Sequence, residues 1–298
     1  MGRRGVWTDK RLAQIAWELK RWKIKVSATT VRRLLHKLGY RLHVNLKSIS
    51  KPHPQRNRQF LCIQRQRRRF VRQALPIISV DTKKKELIGN FKNPGRVWSL
   101  QPTPVLDHDF RSDADGIATP YGIFDLARNH GSVFVGTSHD TPAFAVHNVT
   151  HWWRDYGRKH YPDARALLIL ADGGGSNGAR VRAWKWELQE QLVDPFDLTV
   201  TVCHYPTGAS KWNPIEHRLF SQISKHWAGQ PLTSFNNIVG IIRRTKTKPG
   251  LRVSCRLVKR SFPTAQKISN AQMQLLSLDP HPVLPVWNYT LSPRQNRN

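Results

Sequence analysis

Between residues 75 and 221, short apolar runs and helical patterns follow one another in an order that few folds can accommodate. The order is three strands, a helix, a strand, a helix, a strand and a final helix. Strands joined by short turns are expected to pair antiparallel, whereas strands separated by helices are expected to pair in parallel. The sequence therefore predicts an α/β protein. The predicted strands are 75–80, 121–126, 132–136, 166–170 and 198–203, and the predicted helices between them are 141–156 and 179–192.

The predicted order corresponds to a ribonuclease H-like mixed sheet flanked by helices. In that arrangement the first and fourth strands lie side by side. Asp81 follows the first apolar run and Asp172 follows the fourth. The two carboxylates are therefore expected to be neighbours at one edge of the sheet.

A third acid lies in residues 204–221, which are expected to form a loop leading into a helix. Asn213 suits the N-cap and Pro214 suits the first helical position, which places Glu216 in the first turn. Taken singly, each acid is most simply a turn former or a capping residue. Taken together with the order of the elements, Asp81, Asp172 and Glu216 favour a catalytic interpretation.

Three such acids suit metal-dependent phosphodiester chemistry. Two Mg²⁺ ions can activate the attacking oxygen and stabilise the leaving oxygen, and Mg²⁺ prefers oxygen ligands. Asp81 is expected to bridge both metals, and Asp172 and Glu216 to hold mainly one each. Asp125, His204 and His217 are interpreted as structural rather than catalytic.

Charge indicates a polyanionic partner. The formal net charge is +30, and residues 1–80 hold 21 Lys and Arg against 2 acids, whereas residues 81–216 hold 15 against 16. Residues 217–298 are again basic, with 13 Lys and Arg against 1 acid. Basic flanks around a near-neutral middle favour a DNA-binding enzyme over a generally basic protein.

The basic N-terminal part predicts two helices in a helix-turn-helix-like arrangement, for which a plain basic helical hairpin is the alternative. Ser27 is expected to cap the second helix and Gly39 to end it. A basic helix is predicted to follow. The candidate DNA-binding residues are Arg32, Arg33, Lys37, Arg65, Arg68, Lys83, Lys84, Asn177 and Lys211.

We expect four segments: a helix-turn-helix-like segment at 1–45, a basic connector helix at 46–74, the catalytic domain at 75–265 and a basic tail at 266–298. Four prolines after residue 279 predict an extended or poorly ordered tail. Three scattered cysteines fit a reducing compartment, and the lack of a long apolar run argues against a membrane span. A bacterial cytoplasmic, nucleoid-associated location is the expectation.

Three sequence blocks carry a family resemblance: residues 81–86 (DTKKKE), 171–177 (ADGGGSN) and 204–221 (HYPTGASKWNPIEHRLFS). Together they resemble the DDE transposases of the ISAzo13 type, first noted as a Rhodopirellula transposase family, over residues 27–265. The Asn-Pro-Ile-Glu element at 213–216 also resembles the broader Tc1/mariner and IS630 transposases. Asp81, Asp172 and Glu216 match the positions of the DDE triad.

The resemblance implies Mg²⁺ or Mn²⁺ dependence, cleavage of DNA at the ends of an insertion sequence, and transfer of the 3′-hydroxyl into target DNA. It also implies terminal repeats and target DNA as partners of a homodimer or larger assembly. The region before the helix-turn-helix-like segment is short for the family, so an N-terminally truncated or domesticated DNA-binding remnant is one alternative. A ribonuclease H-like nuclease without strand transfer is the other.

Overall fold

The computed structural model describes residues 10–42, 53–206, 208–209 and 212–294. The chain forms two compact units, Met1–Ile49 and Ser50–Asn298. In the described residues, none of the helices is both long and apolar enough to cross a membrane. The α-helices are α1 (Leu12–Arg21), α2 (Ala28–Lys37), α3 (Arg56–Arg72), α4 (Pro142–Trp152), α5 (Arg158–His160), α6 (Arg182–Leu188), α7 (Asp194–Phe196), α8 (Ser221–Trp227), α9 (Phe235–Arg243) and α10 (Asn270–Gln274).

The first unit contains α1 and α2, which pack against each other. Ser27 caps α2 as predicted, because its side chain accepts a hydrogen bond of 3.1 Å from the Thr30 N–H. Gly39 follows the end of α2 with a φ of +88°, a conformation that glycine adopts without strain. Val31 is buried in this unit, so the two helices form a small packed pair.

In the second unit, nine described strands form one mixed sheet. The spatial order is β7-β4-β3-β1-β5-β6-β9-β8, with β2 paired to β3. The strands are β1 (Ile77–Thr82), β2 (Glu86–Ile88), β3 (Gly116–Asp125), β4 (His130–Gly136), β5 (Ala166–Ala171), β6 (Thr199–His204), β7 (Arg252–Val258), β8 (Leu278–Pro280) and β9 (Asn288–Leu291).

The central part of the sheet agrees with the sequence prediction. β1, β3 and β4 are antiparallel neighbours, and β5 and β6 extend the sheet in parallel with β1. The predicted α/β class, with a ribonuclease H-like mixed sheet flanked by helices, is confirmed. The short β2 and the outer strands β7, β8 and β9 were not predicted.

The two faces of the sheet bury different elements. The first face, which includes Ile78, Val80, Tyr121 and Ile123, is covered by α4 and α6. The second face carries the alternate residues of the same strands and is covered by α3, by the helical segment 214–227 and by α9. Because side chains alternate along a strand, Asp81 shares the second face with Ser79.

The helical segment 214–227 lies very close to the second face. A Cβ atom on Gly122 would lie 2.5 Å from the Phe220 ring, and one on Gly131 would lie 2.4 Å from Leu219. Only glycine permits this approach, since real Cβ contacts are never that short. β3 and β4 thereby bring the turn that carries Glu216 down onto the sheet.

The basic helix α3 is packed against the sheet. Ile63 and Phe70 lie in one buried cluster with Leu168 and Leu170 of β5. The arginines of α3 occupy the opposite, solvent side. This amphipathic pattern explains why a helix with so many arginines is ordered against a sheet.

The expectation of an extended or poorly ordered tail is wrong for residues 278–291. β9 pairs antiparallel with β6, and β8 pairs with β9. Tyr289 and Leu291 are fully buried in the first-face core, and this burial outweighs the surrounding prolines. The prolines at 282 and 285 fall in the connection between the two strands, where no ladder donor is needed.

Candidate active site

The two aspartates lie at the same edge of the sheet, as the sequence predicted. β1 and β5 are parallel, with Val80 paired to Ala171. Asp81 follows Val80 within β1, and Asp172 follows directly after β5. Their backbone positions are therefore adjacent across the two central strands.

Glu216 is brought to the same edge by a contact that the sequence did not reveal. Asn213 directly precedes the helical residue Pro214, as predicted for the cap, and the Ser79 hydroxyl accepts a hydrogen bond of 3.2 Å from the Ile215 N–H. The Ser79 hydroxyl in turn donates to Asn213 Oδ1. Since Ser79 lies two residues before Asp81 on the same face of β1, the strand that carries Asp81 also anchors the start of the Glu216 helix.

Glu216 begins a π-helical turn, Glu216–Phe220, inside the segment 214–227. π-Helical turns widen a helix locally and are frequent at functional sites. The turn is followed directly by α8.

The three acids influence one another electrostatically. Burial, followed by the charge of Asp172, raises the pKa of Asp81 to about 8, and Glu216 and Asp140 add to the shift. Burial also raises the pKa values of Asp172 and Glu216. Few hydrogen-bond donors counteract these rises in pKa. The Thr82 N–H donates to Asp81 at 2.8 Å, and the Gly173 N–H donates to Asp172 at 2.5 Å. Mutual repulsion of desolvated carboxylates is relieved by a bound cation or by protonation.

The donor atoms suit a hard divalent ion, since all three side chains offer carboxylate oxygens at one partly buried edge. Within the described residues, no group of three or more His, Cys, Asp or Glu side chains is arranged as a metal site. The chemistry of the donor set nevertheless fits Mg²⁺ or Mn²⁺.

Asp140 is a fourth acid near this edge that the sequence analysis passed over. The Thr82 hydroxyl donates to Asp140 Oδ1 at 3.2 Å, and Asp140 raises the pKa of Asp81. Asp140 lies in the connection between β4 and α4, directly before the Thr141 cap of α4. In the sequence this is an ordinary position for a turn aspartate, so no local signal distinguishes it.

The chain matches the family described as Rhodopirellula transposase DDE domain over residues 3–293. The chain belongs to this family of DDE transposases.

The solved structures similar to this family member include complexes of the Mos1 transposase. The Mos1 paired-end complex with the left transposon end has 17% identity and a TM-score of 0.47, and the match covers 77% of this chain and 64% of that one. The Mos1 paired-end complex with Mg has 16% identity, a TM-score of 0.47 and the same coverage. The chain thus spans about 64% of the length of these Mos1 chains. None of the curated proteins compared with it matches.

Lys83 does not present its ammonium group as an exposed DNA contact, contrary to the sequence prediction. Its Nζ lies 3.1 Å from Glu86 Oε1 and 4.2 Å from the centre of the Trp227 ring, and its side chain is only 10% exposed. β2 and the end of α8 close around it. Its charge lies near Glu216 and lowers the pKa of that carboxyl, against the larger effect of burial.

Asn177 is also buried rather than presented to DNA, with 1% of its surface exposed. Its backbone oxygen lies 2.9 Å from Nε2 of His204, and Nδ1 of His204 lies 2.9 Å from the Trp287 oxygen. Gln59 bonds both the His204 oxygen and the Asn288 side chain. This polar network fixes the end of the glycine loop, and its long-range partners could not be read from local patterns.

The other predicted DNA-binding residues are on the surface, apart from one. Lys211 lies outside the described residues. The exposed residues are Arg32, Arg33 and Lys37 on α2, Arg65 and Arg68 on α3, and Lys84 after β1. Trp212, beside the Glu216 helix, is 55% exposed and touches Phe60 edge-on.

Proposed function

We propose that this chain is a DDE transposase that cleaves DNA at the ends of an insertion sequence and joins the freed 3′-hydroxyl to target DNA. The observation that carries the proposal is the pairing of Val80 with Ala171, which sets Asp81 and Asp172 on adjacent strands beside Glu216. Family membership over nearly the whole chain supports the same assignment.

Asp81, Asp172 and Glu216 are the proposed ligands of Mg²⁺, with Mn²⁺ as a substitute. Divalent ions at such a site lower the pKa of a bound water and stabilise the leaving oxygen of the phosphodiester. The carboxylates supply the negative charge that retains the ions, and the Ser79 contact keeps the Glu216 helix against β1. Lys83, held by Glu86 and Trp227, balances part of that negative charge.

The exposed cations of α2 and α3 are the proposed DNA contacts. Arginine and lysine bind phosphate oxygens with little dependence on sequence. We assign Arg32, Arg33 and Lys37 to the terminal repeats, and Arg65, Arg68 and Lys84 to DNA near the acids. Lys211 keeps its proposed phosphate role, whereas the burial of Lys83 and Asn177 removes them from the proposed DNA contacts. A homodimer or larger assembly on paired ends remains part of the proposal.

The deciding experiment compares the unmodified chain with Asp172→Asn on DNA that carries the element's terminal repeats. Asp163→Asn serves as the matched control, because Asp163 is exposed in the turn before β5. We expect Mg²⁺-dependent cleavage and strand transfer from the unmodified chain and the control. Asp172→Asn should bind DNA equally and form no product.

Each departure has a defined meaning. Equal product from Asp172→Asn would remove that residue from the mechanism. Cleavage without strand transfer would replace the transposase by a nuclease. DNA binding without product from any of the three proteins would overturn the enzymatic proposal and leave a DNA-binding remnant.

A further inference from the structure

A cavity of about 310 Å³ lies between α4 and the outer strands β4 and β7. An adjoining cleft of about 590 Å³ shares His130 and Tyr156 with it. Pockets of this size accommodate small organic ligands. The residues that line the cavity include His130, Ser132, Tyr156, Arg243, Ser254 and Arg256.

The floor of the cavity is a regular ladder of paired side chains. β4 and β7 run parallel, and their register opposes Ser132 to Ser254 and Phe134 to Arg256. The Ser254 hydroxyl donates to Ser132 at 3.1 Å. Since these residues alternate along their strands, hydroxyl and guanidinium groups are presented on the same face of the sheet.

The roof is made by the π-helical turn Trp153–Gly157, which continues α4. A Cβ atom on Gly157 would lie 2.5 Å from the Trp153 ring, so the turn packs in this way only with glycine there. His130, Tyr156 and His160 stack in a column, with ring centroids 4.3 and 4.0 Å apart. The roof is therefore a rigid aromatic surface.

The cavity is cationic despite one carboxylate. Asp155 is neutralised by Arg154 at 2.8 Å and by Arg256 at 2.9 Å, and these partners, Arg154 first, lower the pKa of Asp155 to about 2. In the described part of the chain, neither Arg243 nor Arg252 makes an ion pair with a carboxylate. The cavity and the cleft thus retain unneutralised guanidinium charge.

The histidines in the cavity add aromatic surface rather than charge. Burial, with His160 beside it, lowers the pKa of His130 to about 4. Burial likewise lowers the pKa of His151. The indole N–H of the buried Trp152 has no hydrogen-bond partner among the described residues.

We propose that this cavity binds a nucleoside phosphate. Aromatic walls beside hydroxyl groups suit a heterocyclic base, which stacks on rings and bonds through its edge. Guanidinium groups suit a phosphate, which they bind through two parallel hydrogen bonds. The base is assigned to the aromatic wall at the partly exposed His130, His151 and Tyr156. The phosphate is assigned to Arg243 in the cavity and Arg252 in the adjoining cleft.

This site is separate from the three acids. Ser254 and Arg256 belong to the first face of the sheet, whereas Asp81 belongs to the second. β7 is three strands away from β1, which is roughly 14 Å at the usual strand spacing. The proposal therefore does not depend on the transposase activity. A free nucleotide and a nucleotide at the end of a DNA strand both offer a base and a phosphate, so either could bind here.

The test is calorimetric titration of the full chain with deoxyadenosine monophosphate, in buffer that contains a metal chelator. Inorganic phosphate and deoxyadenosine are titrated in parallel. We expect the nucleotide to bind at least about tenfold more tightly than either part alone. Arg243→Gln should weaken binding about tenfold by removing a phosphate ligand, and Ser254→Trp should abolish it by filling the cavity from an exposed strand position.

Arg244→Gln is the matched control, because Arg244 is exposed next to Arg243 and does not line the cavity. We expect this variant to bind within about twofold of the unmodified chain. Equal binding by Ser254→Trp and the unmodified chain would overturn the proposal, and so would absence of binding at millimolar nucleotide. Thermal unfolding of each variant establishes that it is folded.

A competition arm distinguishes the two sources of the ligand. Displacement of the nucleotide by a single-stranded oligonucleotide, in the unmodified chain and Arg244→Gln alike, would assign the site to a DNA strand. Lack of displacement would assign it to free nucleotides. Both results support the cavity as a nucleoside phosphate site.

Discussion

Asp81 and Asp125 are both aspartates at strand ends, but they differ in the number of hydrogen-bond donors around their carboxylates. Both Asp125 carboxylate oxygens accept from the Tyr161 hydroxyl, at 3.0 and 2.9 Å. Oδ1 of Asp125 also accepts from the Ala127 and Arg128 N–H groups at 3.0 and 3.1 Å. Asp81 receives one backbone N–H and is surrounded by other carboxylates.

The difference separates a structural acid from a candidate catalytic one. A carboxylate whose lone pairs are used inside the protein stabilises the fold and cannot readily take another ligand. A buried carboxylate short of donors costs stability, and that cost is typical of functional sites. The same residue type in the same kind of sequence position therefore serves two purposes, decided by its partners.

The largest expected effect comes from Asp81→Asn. We expect Mg²⁺-dependent DNA cleavage to fall about a thousandfold or more, because an amide is a poor substitute for a carboxylate that would hold a divalent ion. Above pH 8, where Asp81 is ionised, thermal stability without metal should stay equal or rise, since a repulsive charge is lost. Single-turnover cleavage assays measure the cleavage rate, and thermal unfolding measures the stability. A marked loss of stability would show that Asp81 has a structural role like that of Asp125.

Asp125→Asn should show the reverse pattern. The amide removes one acceptor from the Tyr161 and backbone donors, so the free energy of unfolding should drop by about 1–3 kcal/mol. Cleavage per folded molecule should be retained. Urea denaturation and the same cleavage assay test this prediction, and loss of cleavage in a fully folded variant would contradict it.

The pH dependence of stability should sharpen the contrast. The pKa of Asp81 in the folded protein is about 8, above its ordinary value of 3.8. Its contribution to stability is therefore complete below about pH 4 and is lost as the pH rises toward 8. In chelator, the melting temperature should fall across this interval and fall less in Asp81→Asn. Parallel curves for the two proteins would rule out Asp81 as the titrating group.

The smallest effect is expected for Tyr161→Phe. This change removes one hydroxyl donor from Asp125 and leaves its two backbone donors in place, so about 1 kcal/mol of stability should be lost. When Asp125 is already replaced by Asn, the further change Tyr161→Phe should cost less stability than it does in the unmodified chain, because the two groups act together. Additive losses measured by denaturation would show that the hydroxyl acts elsewhere.

The sequence predicted the central sheet because its strands are strongly apolar and carry their acids at the ends. The adjacency of Asp81 and Asp172 followed from strand order alone. β7 was missed because Arg252, Ser254 and Arg256 interrupt its apolar pattern, and β9 because it follows a proline-rich turn. In both strands, pairing with a distant neighbour decides the structure.

The surroundings of the site's side chains could not be predicted from local sequence either, because their partners are also distant in the chain. Ser79 and Asn213 are 134 positions apart, so the bond that Ser79 makes to the start of the Glu216 helix could not be read from local patterns. Lys83 was expected to contact DNA, and the residues that bury it, Glu86 and Trp227, come from two other elements. The site residues themselves and the segment boundaries stay predictions.

The amide pair between Gln59 and Asn288 joins the helix that precedes the sheet to its ninth strand, across 229 positions of chain. During synthesis, α3 and β6 emerge long before β9 exists. Until residue 291 has left the ribosome, the outer edge of β6 has no partner, and Gln59 lacks the Asn288 side chain. Contacts of such sequence separation form late and slowly. A chain whose β9 has not yet emerged therefore lacks the support beneath His204, and the candidate active site gains that support only after β9 has paired with β6.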